Sequence, residues 1–433
     1  MKPLHLISLA LIGAVLATPL AAQTPARTVI HAGHLLAEPG KPARGAATIV
    51  VEGGKIVSVA DGHQPAEAGA TLIDLSDKYV LPGLIDSHVH LTSDAGGLAG
   101  QLEEMTLSPA AQAFNAEVNG MKTLRAGFTT VRNLGDGDGA TLALRDAILA
   151  GKVQGPRIVD AGASISGSAG HMDGSLGYRD ELRPFFAGAG NTCNGADDCR
   201  RAVRLQIGRG ADLIKFASTG GVNSRIGAGL GKQMFDDEAQ AIVETAHMFG
   251  KKVAVHAHGA DGIRLALTAG ADSIEHGTIL DEATIAAWAK SKTYYVPTLS
   301  TVNGYKERLA ANPDAYEPDV LAKIQWRISI TGKSLETLVP KGVRIAFGTD
   351  AGVSKHGRNG DEFELMVQHG MTPVEALKAA TVNAADLLGL ADQIGSIAPG
   401  KSADIIAVAS DPLADVRVLK KVDFVMARGA VID

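Results

Sequence analysis

Apolar and β-branched residues gather at both ends of the chain in short runs separated by polar or glycine-rich breaks. Near the start these are Thr28-Val-Ile30, Ala47-Thr-Ile-Val-Val51, Lys55-Ile-Val-Ser-Val59 and Thr71-Leu-Ile-Asp-Leu75. Such runs read as strands, and Gly53-Gly54 reads as a hairpin turn between two of them. The far end repeats the texture in Asp404-Ile-Ile-Ala-Val408, Val422-Asp-Phe-Val-Met426 and Gly429-Ala-Val-Ile432. The middle has another rhythm, in which strands alternate with helical segments. Strands are predicted at Leu84–His90, Thr129–Arg132, Arg157–Asp160, Leu213–Ala217, Val253–His258, Ser273–His276, Tyr294–Pro297 and Arg344–Phe347. Helical patterns fall at Ala116–Arg125, Ala140–Ala150, Ala196–Arg209, Asp237–Phe249, Gly262–Ala269, Asp281–Ala289 and Pro318–Leu338. Two more follow at Asp361–His369 and Pro373–Leu388, the latter opened by Thr372-Pro373. Eight strands alternating with helices predict an α/β fold, a (β/α)8 barrel, over 83–394. Both chain ends, 23–82 and 395–433, are expected to build one small β-domain, a β-sandwich, beside it.

Composition narrows the function. A net charge of -6, no basic run and only 4% aromatic residues exclude a nucleic-acid-binding surface. Lys2, the apolar segment Leu4–Leu16 and the small residues of Thr18-Pro-Leu-Ala-Ala22 predict a signal peptide over 1–22, cut before Gln23. The segment is short of the roughly 20 residues that span a bilayer, so a periplasmic or secreted protein with no membrane association is expected after cleavage. In an oxidising compartment Cys193 and Cys199, placed in one polar loop, are expected to form a disulfide.

The chemistry lies at the strand ends, which in such barrels face the active site. His88 and His90, one residue apart on a strand, share a face and form a pincer for a divalent cation. His256 and His258 repeat the spacing, and both are possible ligands. His276 closes the next strand, and Asp350 follows the last. Lys215 sits in the apolar strand Leu213-Ile-Lys-Phe-Ala217, where an unpaired ammonium is costly. Either it forms an ion pair or snorkels to solvent, or burial and nearby metal make it a neutral amine able to bind carbon dioxide as a carbamate.

These motifs make the chain similar to the amidohydrolase superfamily, in its imidazolonepropionase-like and Xaa-Pro-dipeptidase-like subgroup. The resemblance rests on Pro82-Gly-Leu-Ile-Asp-Ser-His-Val-His90, Gly210-Ala-Asp-Leu-Ile-Lys215, Val255-His-Ala-His258, Ile274-Glu-His-Gly277, Gly348-Thr-Asp-Ala-Gly352 and Leu390–Asp404. It implies a metal-dependent barrel with a flanking β-sandwich and two divalent cations, usually zinc, bridged by carboxylated Lys215. One cation would take His88, His90 and Asp350, the other His256 and His276. His258 would polarise the substrate carbonyl, and Asp350 would shuttle the proton from water to leaving nitrogen. The implied substrates are dipeptides or N-acyl amino acids, and the chain also resembles bacterial amidohydrolases that release phenylalanine from ochratoxin A. A lactonase, phosphotriesterase or cyclic-amide hydrolase is the alternative on the same site. Loop residues Ser93, His171, Val222, Arg225 and His356 are candidates to orient substrate, and the resemblance implies a homo-oligomer, an octamer among the options. Gly135-Asp-Gly-Asp-Gly139 lacks the later glutamate of a calcium loop and reads as a turn.

Overall fold

A computed structural model describes residues 27–224 and 229–433. The expected signal peptide and Arg225 lie outside the described residues. Four strands come first: β1 (Arg27–Leu35), β2 (Ala47–Glu52), β3 (Lys55–Asp61) and β4 (Thr71–Pro82). Next come β5 (Leu84–Val89), β6 (Phe128–Asn133), β7 (Arg157–Asp160), the two-residue β8 (Ser166–Gly167) and β9 (Thr192–Cys193), and β10 (Ile214–Ala217). The series ends with β11 (Val253–Ala257), β12 (Ser273–His276), β13 (Tyr294–Val296), β14 (Ile405–Val408), β15 (Phe424–Ala427) and β16 (Ala430–Val431).

The two chain ends meet in one seven-stranded sheet of order β16-β15-β14-β4-β1-β2-β3. Central β4 runs parallel to β1 and antiparallel to β14, with Leu81 opposite Ile406. Only Gly83 separates β4 from β5, so the chain leaves the sheet and at once becomes the first barrel strand.

The middle strands are parallel. β5-β6-β7 form one hydrogen-bonded group and β10-β11-β12-β13 another. Backbone bonds join them: Asp212 N donates to Asp160 O at 2.7 Å, and Tyr295 N to Arg344 O at 2.8 Å. Ser87 N donates to Phe347 O at 2.9 Å, which seats residues 344–347 between β13 and β5. The expected eighth strand is reduced to an isolated parallel bridge between Ile345 and Tyr295, and a widened helical turn takes up bonding that a longer strand would have made. Within the stretch beginning Pro373–Lys378, the wide turn Ala379–Asn383 frees the Ala379 carbonyl, which accepts from Phe347 N at 3.0 Å.

Most helices fall where the apolar periodicity puts them. Gly97–Thr106, the short Arg183–Ala187 and Thr301–Ala311 are helices that the pattern does not reveal, the helix expected from Ala116 starts at Pro109, and the expected 318–338 helix is two, Pro318–Ser329 and Lys333–Leu338. Among the described residues no helix is long and apolar enough to cross a membrane. Cys193 and Cys199 are joined as a disulfide. They do not share a polar loop: Cys199 lies in the first turn of helix Ala196–Gly208, and both sulfur-bearing residues are fully buried. The Gly135–Gly139 turn is organised by Asp136, whose carboxylate accepts from the backbone of Asp138, Gly139 and Thr141 and so starts helix Ala140–Leu149.

Candidate metal centre

At the C-terminal ends of the barrel strands, His88, His90, Lys215, His256, His276 and Asp350 all line one cavity of about 150 Å³. His88 Nε2 and His90 Nε2 each lie 3.4 Å from Asp350 Oδ1. The His256 and His276 rings are 4.7 Å apart, and His276 is 5.2 Å from His88. Two triads have donor atoms within 4.8 Å of one another: His88, His276 and Asp350, and His256, His258 and His276.

Backbone geometry explains how adjacent residues converge. On an extended strand Glu275 and His276 would face opposite sides. His276 instead has φ of 70°, Asp350 φ of 56° and Thr298 φ of 50°. These left-handed conformations are costly for residues with a Cβ and concentrate at functional sites.

Each imidazole has one nitrogen tied to the protein. His88 Nδ1 meets Glu275 Oε2 at 2.9 Å, His90 Nδ1 meets Gly135 O at 3.3 Å, and His256 Nε2 meets Gly220 O at 3.3 Å. Carbonyl and carboxylate oxygens only accept, so those nitrogens carry the proton and the opposite nitrogens carry lone pairs. Thr298 Oγ1 donates to Pro297 O at 2.8 Å and therefore accepts from His276 Nδ1 at 2.7 Å. His258 Nδ1 is bonded to Thr278 Oγ1 at 2.8 Å. Burial, reinforced for His88 by Lys215 and for His276 by neighbouring imidazoles, keeps the rings neutral; His88 is brought to about 4 and His276 well below its ordinary value. Neutral imidazoles with fixed tautomers and one free lone pair are the form that binds metal.

Lys215 is only 1% exposed, and no hydrogen bond or ion pair joins its ammonium to another described residue. Burial brings it down to about 8, against the pull of Glu275 and Asp350. The ion-pair alternative from the sequence is therefore not what the structure shows. The donor set fits a pair of divalent cations: nitrogen and oxygen donors converge, and an otherwise unpartnered buried amine sits among them.

Beneath this cluster lies a charge pair that sequence reasoning missed. Arg132 donates to Glu275 Oε1 at 2.9 Å, to Ser273 Oγ at 3.0 Å and to Ser87 O at 2.5 Å. Burial would raise Glu275, but Arg132 and His88 outweigh it and hold the carboxyl at about 2. Glu275 is thus a permanent anion orienting His88. Its position next to His276 was the available signal, and a charged residue inside the apolar strand β6 was the signal for Arg132. Asp86 is likewise structural: Thr349 Oγ1 and Asn359 Nδ2 donate to it at 2.6 and 2.7 Å, tying β5 to the segment that carries Asp350.

The loop candidates divide. His171 and Val222 line the cavity, with the His171 ring 4.2 Å from His256. Ser93 lies in an adjoining space of about 510 Å³, where its hydroxyl donates to Glu103 at 2.6 Å. His356 lines neither space. Its ring is spent on Thr123 Oγ1 and on the carbonyl of His90, behind the cluster, so it supports the His90 loop instead of facing substrate. Tyr305 and Arg327, not anticipated, face the smaller cavity from helices Thr301–Ala311 and Pro318–Ser329. His90, His171, Met172, Asn223 and Val353 border both spaces, and Tyr178, Phe185, Phe186 and Tyr316 wall the larger one.

Residues 79–432 match the model of the Amidohydrolase family. An ochratoxinase of Aspergillus niger is 33% identical over 420 residues, covering 91% of this chain and 83% of the relative. A crystal structure of a Xaa-Pro dipeptidase with bound methionine in the active site superposes with a TM-score of 0.87 at 37% identity, covering 94% of this chain and 99% of the other. A prolidase complexed with N-methylphosphonate-L-proline gives 0.85 at 30% identity, again covering 94% and 99%.

Proposed function

The chain belongs to the amidohydrolase family and is a hydrolase of amide bonds; from that premise we propose that it is an exported binuclear-metal enzyme cleaving dipeptides or N-acyl amino acids. The observation that carries this reading is the unpartnered buried Lys215 among four imidazoles whose tautomers are fixed from outside. In this assignment His88, His90 and Asp350 would hold one cation and His256 and His276 the other, with Lys215, carboxylated, as the ligand shared between them. Zinc suits these donors. Bound there, the cations supply Lewis acidity and a water of lowered pKa.

The side chains do the rest. Asp350 takes the proton of the attacking water and returns it to the departing nitrogen. His258, steadied by Thr278, offers its other nitrogen to the substrate carbonyl. His171 and Val222 bound the substrate from the segments after β8 and β10. The A. niger relative is an ochratoxinase, and the solved neighbours are a Xaa-Pro dipeptidase and a prolidase. We extend their substrate types to this chain, with ochratoxin A as an amide that would release phenylalanine.

The remaining architecture belongs to the same reading: the chain ends, 23–82 and 395–433, make the flanking β-domain to which the seven-stranded sheet belongs, 83–394 make the barrel, cleavage precedes Gln23, and the mature protein is a homo-oligomer. The test is a library of Xaa-Pro dipeptides, N-acyl amino acids, ochratoxin A and lactones, presented to protein whose zinc content has been measured. Two zinc per chain with turnover of the amides is expected. Turnover of lactones alone would replace the amidase reading.

A further inference from the structure

We propose that Arg327 is the substrate-binding residue for a free α-carboxylate, restricting the enzyme to acyl groups attached to a single C-terminal amino acid. This rests on the amidase reading above and adds the leaving-group chemistry to it.

Arg327 is 4% exposed and lines the small cavity. No carboxylate of a described residue pairs with it, and its one hydrogen bond is a long contact of 3.4 Å from Nη2 to Thr298 O. Apart from Lys215, the cations beside it among the described residues are satisfied. Arg132 has Glu275 and two further acceptors. Lys323, one turn before Arg327 on the same helix, donates to the carbonyls of Gly221 and Ser224 at 3.1 and 2.6 Å. A guanidinium stays charged at any working pH, and burying it without an anion is costly. Its unused donors form a planar fork that matches a carboxylate in two parallel hydrogen bonds.

Position says which end of the substrate supplies that anion. His90 and His171 border both spaces, whereas Arg327 borders the small cavity alone. A scissile amide at the cluster therefore sends its acyl part toward the aromatic walls of the larger space and its amine part toward Arg327. A leaving amino acid brings its carboxylate to the guanidinium. A peptide extended by one more residue, or a carboxamide, brings no charge and leaves the fork desolvated and unpaired, the situation in which polar sites discriminate most.

The test compares N-acetyl-L-phenylalanine with N-acetyl-L-phenylalaninamide on zinc-replete protein. Wild type should prefer the acid by about 100-fold or more in kcat/KM. Arg327→Met should lose roughly that factor on the acid, mainly through KM, and stay within about threefold on the amide, with Arg327→Lys between. By calorimetry, L-phenylalanine should bind wild type and not Arg327→Met, at unchanged zinc content, and phenethylamine should bind neither better. Equal turnover of acid and amide by wild type, or an equal loss on both in Arg327→Met, would overturn the assignment. Should Arg327→Met fail to fold, the wild-type ratio and Arg327→Lys decide. Inertness of both substrates would sink the amidase reading instead, and the L-phenylalanine binding then judges Arg327 alone.

Discussion

Lys215 and Glu275 carry opposite charges into the same barrel, and their surroundings assign them opposite tasks. Glu275 is saturated: Arg132, His88 and Ser273 all bond to it, the last at 2.6 Å. Lys215 is saturated by nothing among the described residues, which is the condition of a side chain awaiting a partner. Lys215→Ala is expected to lose bound zinc and activity together, with partial rescue of activity by small carboxylic acids that replace the bridging anion. Full activity in that variant excludes the bridging role. Glu275→Gln keeps the shape but leaves Arg132 buried without its anion, a change that costs about 3–5 kcal/mol. The same change weakens the hold on His88, so zinc affinity should fall roughly 10- to 100-fold. A denaturant midpoint and a zinc titration measure the two effects, and an unchanged midpoint would show that the pair adds no stability. The contrast also explains what could be read beforehand. A lysine in an apolar strand and histidines at spacing two announce themselves. Arg327 sits in an ordinary amphipathic helix, and no local pattern tells which cavity that face meets.

Legibility at the level of elements follows the same logic. Barrel strands are nearly continuous apolar runs because they are buried on both sides, and seven of the eight expected ranges fall within a residue or two of those observed, whereas 344–347 forms only an isolated bridge from Ile345 to Tyr295. Helix Thr301–Ala311 escaped because its first turn, Thr-Val-Asn-Gly, combines poor helix formers. Tertiary contact accounts for Gly304. A Cβ there would stand 2.1 Å from Val353 O and 2.9 Å from Ser354 Cα, in the loop that follows Asp350. Helix propensity alone predicts that Gly304→Ala gains about 1 kcal/mol. The packing predicts the reverse, a loss of about 1–3 kcal/mol as helix and loop are forced apart. Because that loop follows the proposed proton shuttle, kcat should fall by roughly 100-fold. A stabilised, fully active Gly304→Ala would mean that the helix is not pressed against the loop.

For the molecule as a whole, the acid side of its stability is set by a competition between two buried populations. Seven imidazoles, of His88, His90, His171, His256, His258, His276 and His356, are held below their ordinary value chiefly by burial, His88 to about 4 and His171 to about 3. Three carboxyls are raised by the same cause, Asp86 to about 6 and Asp160 and Glu362 to about 7, the last while accepting from Leu299 N and Ser300 N. As pH falls from about 6.5 toward 4, unfolded imidazoles take up protons that the folded ones refuse, which favours unfolding. Over much the same range the folded carboxyls hold protons that the unfolded ones release, which favours the fold. Seven groups oppose three, so the stability of chelator-treated, metal-free protein should fall on acidification. A drop in Tm of roughly 5 °C or more between pH 7 and pH 5 is expected. A flat or rising Tm would place the balance with the carboxyls. Zinc-loaded protein should lose stability more steeply over the same interval, because ligation requires the imidazoles deprotonated and binding energy is then withdrawn with each proton gained. The difference between the two slopes measures how far the folded barrel depends on occupation of its metal centre.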